Sequence, residues 1–116
     1  MISFELFEKL MSFETKGTIC IEILFKVKGS DKFDFCWMGK LYDKEKNSDV
    51  FWFGITPDGE NAYDYLSFDD FSSDNVFDGK SLYEIWNEVS IEEINACDPE
   101  DMIEIYLSGS GGLCAP

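Results

Sequence analysis

The sequence predicts a single α+β domain, an antiparallel sheet of four to six strands with two helices packed on it, and three observations carry the prediction. An apolar stripe of helical period, Phe4, Phe7, Leu10 and Met11, stands near the start of the chain. Strict apolar–polar alternation replaces it from Thr18 and resumes after a turn at Gly29-Ser30-Asp31. A capping box, Ser81 with Glu84, precedes a second helical stripe at Leu82, Ile85, Trp86 and Val89. A chain of 116 residues holds one hydrophobic core, so the domain is expected to span 1–108, with the glycine-rich 109–116 as a flexible tail.

The first helix is expected over 4–13, capped by Ser3 and stopped before Gly17. The first strand then points Ile19, Ile21, Ile23, Phe25 and Val27 one way, and Cys20, Glu22, Leu24, Lys26 and Lys28 the other. A second strand, hairpinned to it, places Phe33, Phe35, Trp37 and Leu41 on its apolar side, against Asp34, Cys36, Met38, Lys40 and Tyr42. The mixed side of these two strands, with Cys20, Leu24, Cys36 and Met38, is expected to lie under the first helix, the alternative being a protein interface. After the polar loop 43–49, the continuous apolar run Val50–Ile55 reads as a strand covered on both faces and hence as the sheet centre. Pro57-Asp58-Gly59 is a turn, because proline presets one dihedral and glycine accepts positive φ. A fourth strand near 61–68 follows, then an acidic, turn-rich stretch at 69–79 with room for one short helical turn. The second helix covers 82–89, and two further strands are expected at 91–96 and 102–107, joined by a turn at Asp98-Pro99-Glu100-Asp101, although Asp followed by Pro and two acids is also a good helix start.

The charge is lopsided. The chain has 24 acids, 9 lysines and neither histidine nor arginine, a net charge of −15. Residues 1–58 hold ten acids and eight lysines, a net −2, whereas residues 59–116 hold fourteen acids and only Lys80, a net −13. Disordered acidic chains are poor in aromatic residues, but this one has 11 Phe, 5 Tyr and 3 Trp, so it folds around a core. The charge disfavours direct contact with nucleic acid or an anionic membrane, since both repel carboxylates. The N-terminal stretch carries Glu5 and Glu8 and no basic lead-in, and no apolar run is long enough to span a bilayer, which predicts a cytoplasmic protein.

Catalysis has few candidate groups. Without histidine there is no ordinary general base near neutral pH and no imidazole to activate a thiol, and no pair of acids is marked for glycosidase work. The protein is therefore read as non-enzymatic, with no cofactor. Cys20, Cys36, Cys97 and Cys114 contain no C-x-x-C pair and are read as buried, reduced thiols. An EF-hand register beginning at Asp74 fails, because Val76 stands at its third position and Ile85 at its twelfth, so no metal site is assigned. The three tryptophans, Trp37, Trp52 and Trp86, are each read as core.

The tract from CWMGKLYDKEKN through WFGITPDGENAYDYLSFDDF and FDGKSLYEIWNEV to INACDPEDMIEIYL, residues 36–107, resembles a kind of small acidic bacterial protein of unassigned function. The resemblance implies a bacterial intracellular origin and carries no catalytic positions with it. Recognition of a basic protein is the function that uses the dominant anomaly, as electrostatic complementarity speeds association and rejects wrong partners. The expected partner is a toxin, a nuclease or another nucleic-acid-binding protein, engaged in the manner of a toxin-immunity protein or a nucleic-acid-mimic inhibitor. The expected contact residues are Asp69, Asp70, Asp74, Asp78, Glu92, Glu93, Glu100, Asp101 and Glu104, with Tyr63 and Phe71 as exposed aromatic anchors. The alternative is a small-ligand or metal-binding module, which would need a deep apolar pocket with convergent polar groups.

Overall fold

The computed structural model describes residues 2–13, 20–55 and 62–106. The tail at 109–116 with Cys114, the Pro57-Asp58-Gly59 turn, and Thr18 and Ile19 of the expected first strand lie outside the described residues. Five antiparallel strands, β1 (Ile21–Val27), β2 (Cys36–Asp43), β3 (Ser48–Gly54), β4 (Ala62–Tyr65) and β5 (Val89–Ile94), form one sheet in the order β4-β3-β2-β1-β5. Among the described residues four α-helices accompany it: α1 (Phe4–Met11), α2 (Phe68–Ser73), α3 (Leu82–Ile85) and α4 (Pro99–Ile105). No helix among the described residues is long and apolar enough to cross a membrane.

The core lies on one face of the sheet, built from Ile21, Ile23 and Phe25 of β1, Cys36 and Met38 of β2, and Phe51 and Phe53 of β3. Aromatic rings join the helices to it. Phe71 of α2 stacks on Phe53 at 4.3 Å, Phe7 of α1 lies 4.7 Å from Trp86, and Phe77 meets Phe25, Phe33 and Phe53 edge-on. Ring pairs of this kind add roughly 0.5–1.5 kcal/mol beyond the area they bury.

Register corrects the expected phase of β2. Ile21 pairs with Lys40, Ile23 with Met38 and Phe25 with Cys36, so Cys36, Met38 and Lys40 face the core. Phe35, Trp37 and Leu41, expected inside, are on the opposite side, where Phe35 is 47% and Leu41 40% exposed. Trp52 of β3 pairs with Gly39 and shares that outer face, so two of the three expected core tryptophans are only half-buried. A side chain at Gly39 would put its Cβ 2.0 Å from the Ile21 carbonyl oxygen and 2.8 Å from the Trp52 indole, which fixes glycine there. Side-chain period is two, so a one-residue error in phase moves the whole strand from face to face. Lys40, 2% exposed, is accommodated on the core face because its ammonium donates to the carbonyls of Met11, the last residue of α1, and of Phe13, and pairs with Asp49 at 3.1 Å.

Three further expectations change. The sheet centre is β2 and not β3, which lies one strand from the edge. The second helix shortens to α3 followed by a 3₁₀ turn at Trp86–Glu88, so that β5 begins at Val89, although both hydrogen bonds of the Ser81–Glu84 capping box are formed. The last expected strand is α4, because Asp98 caps it by accepting from the Asp101 amide and Pro99 occupies the first turn, where its missing N–H costs nothing.

Candidate functional site

All nine expected carboxylates are exposed, and each is held by a definite local structure. Asp69 and Asp70 occupy the first turn of α2, whose cap, Ser67, accepts from the Asp70 amide; negative charge suits that end of a helix. Asp74 ends α2 and accepts the Tyr65 hydroxyl at 2.6 Å. Burial, then the nearby Asp74 carboxylate, pushes the Tyr65 phenol well above its usual range, so it remains a hydrogen-bond donor. Asp78 lies in the tight turn between Phe77 and Lys80 and pairs with Lys32 at 2.6 Å. Glu92 sits at the irregularity in β5, between the Phe25–Ile91 and Leu24–Glu93 pairs, and its partner is Lys26 at 3.3 Å. Glu93 is opposite Leu24. Glu100, Asp101 and Glu104 project from α4.

Sheet order sets apart the strands beside which eight of the nine lie, although α2 also packs on α3. Asp69, Asp70 and Asp74 belong to the β4 edge, where α2 packs, whereas Glu92, Glu93, Glu100, Asp101 and Glu104 belong to the β5 edge beside α4. Four strand spacings separate those edges, about 19 Å at about 4.8 Å each. Two of the nine, Asp78 and Glu92, have a lysine partner among the described residues, and both pairs are solvent-exposed. Such pairs contribute little.

The aromatic anchors also divide. Tyr63 is half-buried on β4, paired with Phe53. Phe71 is 0% exposed and belongs to the core, so it does not serve as a contact residue. It is the helical period of α2 that turns Phe68 and Phe71 inward while Asp69 and Asp70 face water. The thiols are likewise unalike: Cys36 is buried, Cys20 half-buried and Cys97 exposed, so burial holds for Cys36 alone among the described cysteines.

Sequence reasoning missed the concavity at the β5 edge. A cavity of about 430 Å³ is lined by Ile2, Trp86, consecutive residues Val89–Glu92 of β5, the start of α4 from Asp98 to Glu100, and Lys28. A neighbouring cavity of about 600 Å³ shares Ile2 and Trp86 with it and adds Phe4, Tyr83 and Glu84. Tyr83 is 65% exposed, and Phe4 meets both Tyr83 and Trp86 edge-on at 4.9 and 5.3 Å. Tyr83 falls between the apolar positions of its helix, so the stripe that located α3 gave no sign of it. No family model, curated protein or solved structure matches the chain.

Proposed function

We propose that the chain is a non-enzymatic acidic binding protein that engages the cationic surface of another protein, in the manner of a toxin-immunity protein or an inhibitor of a nucleic-acid-binding enzyme. The single observation that carries this reading is the ratio of fourteen acids to one lysine over residues 59–116, with all nine candidate carboxylates exposed to solvent. Exposed charge of one sign steers an oppositely charged partner and raises its association rate. The division between two edges favours contact through one edge over mimicry of an unbroken phosphate track, in which charge recurs roughly every 1.7 Å along the axis.

Affinity capture from a native lysate at about 50 mM salt, followed by a step to about 500 mM, isolates the partner, and association kinetics with the purified partner test the reading. The association rate is expected to fall at least about tenfold across that range, because the Debye length drops from more than about 10 Å to under about 8 Å. A rate that stays constant overturns it.

A further inference from the structure

We infer that the trough along the free edge of β5 is where the cationic partner docks, and that the docked element is an extended, lysine- or arginine-bearing segment lying against that strand. The inference rests on the acidic-binding reading and names its site. Three independent features converge there.

The first is backbone. The Lys28 amide bonds the Glu88 carbonyl, which fixes the alternation of the β1–β5 ladder and directs Ser90 toward Lys26. In an antiparallel pair the intervening residues point their N–H and C=O outward. Val89 and Ile91 therefore face the free edge, where the Val89 amide is already bonded to the Trp86 carbonyl. Among the described residues nothing bonds the outward N–H and C=O of Ile91. Ile91 thus offers an N–H and C=O pair to an added strand, beside the irregularity at Glu92 that limits how far such pairing can run.

Shape is the second. Ile2, Trp86 and Ile91 give the trough an apolar floor, and the adjoining cavity extends it to the exposed Tyr83 ring. Aromatic anchors in a pocket with a polar rim are the usual anatomy of a protein contact. The third is charge. Glu84, Glu92, Asp98 and Glu100 line the two cavities, opposed among the described residues by Lys28 in the lining and by Lys26, which pairs with Glu92. A segment whose alternate side chains are cationic and apolar satisfies floor and rim together, since period two sends them to opposite sides.

The test uses the full chain and a capped peptide of about eight residues alternating lysine and valine, a length that matches a typical added strand. With isotope-labelled protein at low salt, the largest amide shifts are expected at 89–92 and 98–100, and exchange of the Ile91 amide slows. Combined Glu92→Gln and Glu100→Gln weakens binding about tenfold, as expected for loss of two charge pairs. Asp69→Asn with Asp70→Asn, at the opposite edge, leaves it within about twofold. Methylation of alternate peptide amides abolishes binding if strand addition operates, and retention of affinity overturns that geometry. If the Asp69 and Asp70 changes weaken binding as much as the Glu92 and Glu100 changes, the trough is refuted while the acidic-binding reading stands. A glutamate–valine peptide that binds equally well refutes the charge argument, and absence of lysine–valine binding at low salt refutes both.

Discussion

Asn95 and Ala96 both have positive φ, 52° and 63°, at the centre of the two-residue turn across which Ile94 and Cys97 exchange hydrogen bonds. Asn tolerates that region, but the Cβ of alanine is crowded there at a cost of roughly 1–2 kcal/mol. The chain contains its own comparison: Asp78 and Gly79, at 52° and 83°, make the same kind of turn between Phe77 and Lys80 with glycine at the second position. Ala96→Gly is expected to raise unfolding stability by about 0.5–1 kcal/mol, part of the relief being offset by the greater freedom of glycine when unfolded. A urea midpoint that falls would contradict it. The pair also marks what a sequence discloses, since Asp-Gly announces a turn through glycine whereas Asn-Ala announces nothing. Cys36 supports a second prediction. Its side chain is 0% exposed against Phe25, and burial pushes the thiol from 9.0 to about 11. The unfolded thiol loses its proton first, so this contribution to stability is complete below about pH 9 and is lost as pH rises to about 11. Denaturation measured across that window is expected to show a steady decline, and Cys36→Ala a shallower one; an unchanged slope would place the titration elsewhere.

Between α1 and the sheet, a buried lysine adds a polar connection to the apolar contacts of Phe7, Leu10 and Met11. Lys40 reaches from the middle of β2 to the carbonyls of Met11 and Phe13 at the C-terminal end of α1, while Asp49 and the Phe51 ring flank its ammonium. Lys40→Met keeps the length of the stem and removes the donors. It is expected to cost about 2–3 kcal/mol, because those acceptors lose a buried partner. Urea unfolding would check this, and a neutral result would mean that the carbonyls find water. The same residue explains where the sequence misled. Hydropathy put Phe35, Trp37 and Leu41 inside because they are more apolar than Cys36, Met38 and Lys40, but inside and outside are set by pairing with Ile21, Ile23 and Phe25. A lysine on the core face signals nothing to a pattern that counts apolar residues. Where local chemistry decides, the sequence was readable: Ser3 and Ser81 cap their helices as expected, and β1 alternates as expected. It was ambiguous at 98–105, where Ile103 and Ile105 fit a strand while Asp98 and Pro99 fit a helix start, and the cap prevailed. The acidic candidates were legible as a count and not as a place, because sheet order, which separates 69–74 from 92–104, depends on long-range pairing.

At the scale of the molecule, the chain carries a net charge of −15, most of it on the described residues, which extend over 37 × 33 × 25 Å. At about 10 mM salt the Debye length is about 30 Å, so carboxylates on the β4 and β5 edges repel one another through most of the protein; at 1 M it is about 3 Å and they do not. Self-repulsion of that extent opposes the compact state. Moving from about 10 to about 500 mM sodium chloride is therefore expected to raise the thermal midpoint by about 5 °C or more, the equivalent of roughly 1 kcal/mol for a domain near this size. Association with a cationic partner should respond in the opposite sense and slow over the same range. The opposed responses separate the two explanations of the acidity. A coat of carboxylates kept only for solubility gives the gain in stability and has no partner whose binding slows. A recognition surface gives both, and retains the repulsion because the partner, once bound at one edge, supplies the positive charge that relieves it. Scanning the midpoint with and without the captured partner distinguishes them: the partner should raise it most at low salt and least at high salt, and an increment that does not vary with salt would assign the stabilisation to apolar burial alone.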